Sequence, residues 1–91
     1  MRYALRFGET AARELAGLPS EVRARLAARL ELLADDPRFP GTQALAGNLK
    51  GLRRLRVGDY RVCYEVDDEA AVVVVREVAH RRDVYKRLRR R

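Results

Sequence analysis

Cysteine and histidine are almost absent from this sequence, since Cys63 and His80 are the only residues of their types. A single cysteine excludes an internal disulfide and fits a reducing compartment. One cysteine and one histidine also cannot supply the ligands of a structural zinc site. We therefore expect a cytoplasmic protein without a structural zinc site. No cofactor is predicted.

Long apolar runs are missing as well. No stretch approaches the roughly 20 apolar residues that a membrane-spanning helix needs, and the segment Met1–Phe7 is too polar for a signal peptide. No repeat or low-complexity segment interrupts the chain before its arginine-rich end. These features predict one small domain over residues 1–91 and no contact with a membrane interior.

Lysine is scarce although the chain is basic. It carries a formal net charge of +7, and Lys50 and Lys86 are its only lysines, so arginine supplies the excess. Arginine suits bidentate contacts with phosphate. The composition indicates a polyanionic partner, which could be a nucleic acid, an acidic protein segment or a membrane surface. Charge that only keeps the domain soluble is the alternative.

The N-terminal quarter predicts a strand followed by a short helix. Apolar and polar residues alternate loosely over Arg2–Phe7, which is typical of a half-buried strand. The next segment, Glu9–Ala16, has an acidic start that suits a helix N-terminus. We expect Gly17 to end this helix, and we expect its apolar stripe to consist of Ala12, Leu15 and Ala16.

A second helix is predicted from Ser20 to Ala34, with Ser20 as its N-cap. Its apolar stripe recurs at helical spacing in Val22, Leu26, Leu30 and Leu33. Asp36-Pro37 ends the helix, because a residue before proline avoids helical angles. The segment Phe39–Asn48, rich in glycine and proline, is predicted to be a loop.

Gly58-Asp59 predicts a two-residue β-hairpin, with glycine at a position that needs positive φ. The register follows from that loop: Val57 faces Tyr60, Arg56 faces Arg61, Leu55 faces Val62, and Arg54 faces Cys63. One face of the hairpin is then apolar, with Leu55, Val57, Tyr60, Val62 and Tyr64. The other face carries Arg54, Arg56 and Arg61.

Three arginines on one face of a hairpin require an explanation. Like charges opposite each other on neighbouring strands destabilise a sheet by up to about 1 kcal/mol. A phosphate bound between the arginines would offset this repulsion through charge-assisted hydrogen bonds. Neutralisation by Glu65 and Asp59, or side chains that splay into solvent, are the alternatives.

The last third predicts a further strand and a final turn. Ala70–Val75 is a continuous run of small and β-branched apolar residues, as in a strand covered on both faces. Val84 and Leu88 lie one helical turn apart, so Asp83–Leu88 is predicted to form a last turn of helix. The fold class is therefore α+β: an N-terminal strand and a helical hairpin packed on a mainly antiparallel sheet.

Two motifs resemble the RelE/ParE toxin superfamily, and its RelE-like branch in particular. They are LKGLRRLRVGDYRVCYEVDDE at residues 49–69 and VVVVREVAHRRDVYKR at residues 72–87. The resemblance covers the whole chain. It implies a small microbial-ribonuclease type of fold and the toxin of a type II toxin–antitoxin pair. RelE-like members cleave messenger RNA at the ribosome without a metal, through attack of the 2′-hydroxyl on the adjacent phosphate, and so inhibit translation.

The resemblance also implies roles for individual residues. Arg61 matches the sheet arginine that holds the scissile phosphate, Arg54 a basic residue of the preceding strand, and Arg81 an arginine near the end of the last strand. Tyr85 matches a C-terminal tyrosine that stacks on a base or transfers a proton. This chain has Leu52 and Arg54 where the best-studied type has lysines, and arginine is a poor general base because it stays protonated.

Further basic residues around these positions are predicted to bind RNA: Lys50, Arg53, Arg56, His80, Arg82 and Lys86. For His80, a structural role is the stronger expectation, since a lone histidine is more often structural. The implied partners are a cognate acidic antitoxin, messenger RNA and the ribosome, with operator DNA reached only through the antitoxin complex. A ParE-like inhibitor of DNA gyrase and a non-catalytic basic binding module are the alternative functions.

Overall fold

The structure is a computed structural model, and it describes residues 2–82. Two α-helices and five β-strands succeed one another along this part of the chain, with a 3-10 turn at Gly47–Leu49. They are β1 (Ala4–Phe7), α1 (Glu9–Ala16), α2 (Ser20–Asp35), β2 (Thr42–Ala44), β3 (Arg53–Val57), β4 (Tyr60–Asp67) and β5 (Val72–His80). The final helical turn predicted over Asp83–Leu88 lies outside the described residues. Neither α1 nor α2 is long and apolar enough to cross a bilayer.

The strands form a single sheet in the order β1-β5-β4-β3-β2. Strand β1 runs parallel to β5, and the other neighbours are antiparallel. The predicted α+β class with a mainly antiparallel sheet is therefore confirmed. Because the hairpin strands β3 and β4 lie in the interior of the sheet, the residues they carry are held by neighbours on both sides.

The hydrophobic core lies between the two helices and one face of the sheet, which we call the covered face. Strand side chains that point into it are fully buried, among them Leu55, Val62 and Tyr64. Tyr64 also donates a hydrogen bond of 2.6 Å from its hydroxyl to the carbonyl of Pro37. The stripe predicted for α2 is confirmed, with three buried leucines and a partly buried valine, namely Leu26, Leu30, Leu33 and Val22.

The stripe predicted for α1 is confirmed at Leu15, which packs against the core, and wrong at Ala12 and Ala16. Ala11 is the buried residue of this helix, Leu15 is half-buried, and Ala12 and Ala16 are exposed. The sheet-facing side includes Glu14, whose Oε1 accepts a 2.9 Å hydrogen bond from the backbone N–H of Val78. An acidic residue on the buried side hides the helical period, because the pattern is read from apolar residues alone.

The predicted cap of α2 is also wrong. Ser20 is the first residue of the helix, and Pro19 is the N-cap, with no hydrogen bond from a capping side chain. Proline fixes φ near the value needed here and has no N–H to satisfy; Pro19 has φ −56° and ψ 148°. Its carbonyl accepts the N–H of Arg23 at 3.0 Å, so the helix starts from proline backbone rather than from a serine hydroxyl.

The segment Phe39–Asn48, predicted to be a loop, contains strand β2. Residues Thr42–Ala44 pair antiparallel with β3 at the edge of the sheet. Both the N–H and the hydroxyl of Thr42 donate to the carbonyl of Phe39, at 3.1 and 3.0 Å. Three residues show no useful alternation, and the partner strand lies further along the chain, so local pattern could not reveal this strand.

Strand β5 is covered by helices on one face rather than on both as predicted. Val73 and Val75 are buried, whereas Val72 and Val74 are partly exposed on the other face, which we call the open face. The strand also starts later than predicted, because Ala70 and Ala71 belong to the turn before it. Continuous valine was therefore a sign of high strand propensity and not of burial on both sides.

Candidate functional site

The hairpin between β3 and β4 has the predicted turn and register. Gly58 has φ 61°, and among residues 2–82 Ala71 is the only non-glycine residue with positive φ. A positive φ confined to the first central residue is the pattern of a type II′ turn, whose twist suits a hairpin. Each of the pairs expected from this loop is present, from Val57 with Tyr60 to Arg54 with Cys63.

This register places three arginines together on the open face: Arg54, Arg56 and Arg61. We call them the arginine cluster. Arg56 lies directly opposite Arg61, and Arg54 lies on the same strand as Arg56, two residues away. Arg54 and Arg61 are half-buried, and Arg56 is exposed. The structure thus confirms the predicted common face of these side chains.

The cluster is electrostatically unfavourable in the absence of a ligand. Burial lowers the pKa of the Arg54 guanidinium, and the positive charges of Arg56 and Arg61 lower it further. Arg54 donates a hydrogen bond to the neutral side chain of Gln43, its register partner on β2. Desolvation and like charge both disfavour the charged form of a cation, and the attraction of a bound anion would offset both penalties.

The acidic groups considered as counter-charges do not neutralise the cluster. Glu65 pairs with Arg76, with 2.9 Å between Oε1 and Nε. Within residues 2–82, no ion pair joins Asp59 or Glu65 to the three arginines. Glu77 lies on the open face opposite Cys63 and is half-buried. The arrangement favours the phosphate explanation over neutralisation by Glu65 and Asp59.

Cys63 accepts a hydrogen bond from Arg61, one member of the arginine cluster. The Nε–H of Arg61 donates to Cys63 Sγ at 3.2 Å, and Cys63 itself is only 4% exposed. This contact was not predicted from the sequence. The signal was available, because the predicted register already placed Cys63 opposite Arg54 and two residues after Arg61.

Arg81 is brought to the same end of the sheet by a backbone contact. Its N–H donates to the carbonyl of Asp59 in the hairpin turn, at 2.7 Å. The chain leaving β5 therefore passes beside the hairpin that carries the arginine cluster. Arg82 follows and is exposed, like Arg81. Tyr85 and Lys86, the remaining candidates of this segment, lie outside the described residues.

Two residues predicted to bind RNA lie on the covered face instead. Arg53 is directly opposite Tyr64 and donates from Nη2 to Thr42 Oγ1 at 2.9 Å. His80 is directly opposite Tyr60, and their rings meet edge to face with centroids 5.2 Å apart and planes at 87°. These positions separate Arg53 and His80 from the arginine cluster. Lys50 is exposed in the turn after Gly47–Leu49.

The opposite end of the open face is acidic. A concavity of about 700 Å³ lies there, beside the β4–β5 turn. Its lining includes Glu65, Asp67 and Glu69. In the part of the chain from residue 2 to residue 82, no group of three or more His, Cys, Asp or Glu side chains is arranged to hold a metal ion. Charge on the open face therefore changes sign along β4.

Comparison with known proteins gives concordant similarities. Residues 5–85 match the family described as "ParE toxin of type II toxin-antitoxin system, parDE". Toxin RelG of Mycobacterium tuberculosis is 40% identical over 91 residues, which cover 96% of this chain and 100% of RelG.

Solved structures agree with the sequence similarity. A chain of the toxin–antitoxin complex RelBE2 from Mycobacterium tuberculosis superposes with a TM-score of 0.81 and 33% identity, over 88% of this chain and 92% of that one. The isolated RelE toxin of E. coli gives a TM-score of 0.75 and 28% identity, over 94% and 98% of the two chains. The similarity thus extends over nearly the whole of each relative.

Proposed function

Because the chain belongs to the RelE/ParE superfamily of toxins from type II toxin–antitoxin systems, we propose that it is an endoribonuclease that inhibits translation. It acts without a metal and cleaves messenger RNA as the message is translated on the ribosome. The observation that supports this activity is the arginine cluster, a set of cations on the open face with no ion-pair partner among residues 2–82.

The proposed reaction is a transesterification within the RNA strand. The 2′-oxygen attacks the neighbouring phosphorus as its proton passes to a base or to water. The bond to the 5′-oxygen breaks and that oxygen takes up a proton from an acid or from water, which yields a 2′,3′-cyclic phosphate and a 5′-hydroxyl. Negative charge builds on the non-bridging oxygens in the transition state. Preorganised cations stabilise that charge, and loss of one such donor commonly costs 10²–10³-fold in rate.

Each candidate residue has a place in this reaction. We assign the scissile phosphate to Arg61, which lies on an interior strand and donates a hydrogen bond to Cys63. We assign Arg54 and Arg56 to further charge stabilisation from the neighbouring strand. We assign Arg81, whose backbone contacts the hairpin turn just after β5, to the same phosphate. Arginine stays protonated at neutral pH even when its pKa is lowered, so we assign proton transfer or base stacking to Tyr85.

We also propose that the partner of this toxin is an acidic antitoxin segment that folds upon binding. A relative, in the complex RelBE2 of Mycobacterium tuberculosis, is known bound in a toxin–antitoxin complex. The formal charge of +7 favours an acidic partner, and a segment laid on the open face would cover the arginine cluster. Operator DNA would be reached only through that complex.

Inhibition of DNA gyrase is the second candidate function, because the matching family carries the ParE name. A non-catalytic basic binding module is the third. The arginine cluster favours RNA cleavage over both, since neither alternative requires cations to converge on a single phosphate.

A translating extract separates the three functions. We expect the wild-type protein to cut translated message, mapped by primer extension, and to leave gyrase supercoiling unchanged. Arg61→Ala should lose the cuts. Arg76→Ala, which removes another sheet arginine and only an exposed ion pair, should retain them. Supercoiling inhibition without cuts would identify the gyrase function, and the absence of both effects would identify a binding module.

A further inference from the structure

Cys63 occupies a central position in the proposed site. It lies two residues after Arg61 on β4, opposite Arg54 on β3 and opposite Glu77 on β5. Although its side chain points to the open face, Cys63 is buried, with only 4% of its surface exposed. Its sulfur is therefore shielded from solvent and contacts Arg61.

The hydrogen bond to Cys63 restricts the orientation of the Arg61 side chain. A guanidinium has five N–H donors in a fixed planar fork. When Nε–H is bound to Sγ at 3.2 Å, the plane is oriented and both Nη groups stay available for other acceptors. Among residues 2–82, no hydrogen bond from these Nη groups to a protein acceptor is present. The free edge of the fork is the edge that binds phosphate oxygens in pairs.

Sulfur suits this role better than a carboxylate would. A thiol is a weak acceptor without formal charge, so it orients Arg61 without neutralising it. An acidic residue at the same place would form an ion pair and compete with the phosphate. A purely apolar residue would fill the space but leave a long, flexible side chain free to rotate.

We propose that Cys63 is a positioning residue that fixes the guanidinium of Arg61 for binding of the scissile phosphate. This inference rests on the proposed ribonuclease function, and it adds a residue that acts on the reaction through Arg61. The gain is preorganisation, because a cation that is already oriented loses less freedom when the transition state forms.

The kinetic test is a double-mutant cycle. Cys63→Val replaces the thiol with a slightly larger apolar side chain and removes the acceptor, and it should slow single-turnover cleavage about tenfold, the equivalent of one lost hydrogen bond. Cys63→Ser keeps an acceptor and should recover part of the rate. In the Arg61→Ala background, Cys63→Val should change the residual rate by no more than about twofold.

Several outcomes would overturn the inference. One is a wild-type rate in folded Cys63→Val; another is an equal loss in both backgrounds, which would show a merely structural role. Cys63→Ala replaces Cys63→Val in the cycle if the valine variant does not fold. Val66→Ala, on the covered side of the same strand, controls for general loosening of β4 and should not slow cleavage as Cys63→Val does.

Hydrogen exchange of the Arg61 Nε–H, followed by ¹H–¹⁵N NMR, tests the contact without any RNA. Exchange should be slow in the wild type, faster in Cys63→Val and slow again in Cys63→Ser. Equal exchange in all three proteins contradicts the positioning role. If wild-type protein does not cut RNA, the proposed function is wrong, and the NMR result still decides whether Cys63 orients Arg61.

Discussion

The two faces of the sheet are built on opposite principles. On the covered face, residues such as Leu55, Val62 and Tyr64 are completely buried, and the Tyr64 hydroxyl has its acceptor. On the open face, Arg56 of β3 lies directly opposite Arg61 of β4. Burial and the like charges of these neighbours lower the pKa of Arg54. The covered face stabilises the fold. The open face gives up stability for a concentrated positive charge, which is expected of a site and not of a scaffold.

A core truncation should give the largest effect on folding. Leu55 is 0% exposed beneath the helices, so Leu55→Ala should lower the free energy of unfolding by about 2–5 kcal/mol. Leu32→Ala makes the same change at a residue that is 42% exposed and should cost about 0.5 kcal/mol or less. Urea unfolding measures both. Equal losses would show that the helices do not cover the sheet as described.

A substitution within the arginine cluster should instead raise the free energy of unfolding. Arg56→Gln removes one of two like charges that face each other across the hairpin. The free energy of unfolding should rise by a few tenths to about 1 kcal/mol, and RNA binding should weaken and become less sensitive to salt. Arg23→Gln, on the exposed side of α2, is the matched control for loss of one charge. A destabilised Arg56→Gln would mean that the cluster is not under strain.

These contrasts also show what the sequence could reveal. The hairpin register was predictable, because a two-residue turn at Gly58 fixes every pair that follows. The common face of Arg54, Arg56 and Arg61 followed from it. Strand β2 was not predictable, because a three-residue edge strand forms through its pairing with β3 and has no strand pattern of its own.

The details of the site depended on packing between elements. The pairing of β4 with β5 shifts at Cys63/Tyr64, so Glu77 and Val75 oppose consecutive residues of β4. A run of valines cannot indicate where such an irregularity falls. The same tertiary arrangement places Glu14 beside Val78 and leaves Val74 partly exposed. Neither feature can be read from the local sequence pattern.

A paired arginine offers a contrast with the unpaired cluster. Hydrogen bonding to Asp68 raises the pKa of Arg38, and in return Arg38 and Tyr3 hold the pKa of Asp68 below its ordinary value of 3.8. A depressed carboxyl pKa contributes stability above the unfolded value, and this contribution is lost as pH falls through the folded value. Asp68→Asn should therefore be less stable than wild type at neutral pH.

The difference between Asp68→Asn and wild type should shrink below pH 3.8. Thermal unfolding of both proteins at neutral and acid pH measures it. Glu69→Gln, at the next position of the same turn, controls for loss of one negative charge. A difference that does not depend on pH would show that the negative charge of Asp68 does not contribute to stability.

Only a small effect on cleavage is expected at His80. Its ring lies on the covered face against Tyr60, and its Nδ1 accepts the N–H of Arg82 at 3.1 Å. His80→Ala should reduce cleavage by much less than the factor of about 10² that loss of a general acid or base costs. A loss of that size, with the pH profile altered, would assign a catalytic role to the covered face.

The most direct test of the central claim is the single-turnover rate at which Arg61→Ala cuts ribosome-bound message. If the arginine cluster is the catalytic site, this rate should fall at least about 100-fold below the wild-type rate. A cooperative unfolding transition should confirm that the variant is folded. Arg81→Ala should show a loss of the same order, and Arg76→Ala should cut at close to the wild-type rate. A wild-type rate from folded Arg61→Ala would contradict the assignment of RNA cleavage to the open face.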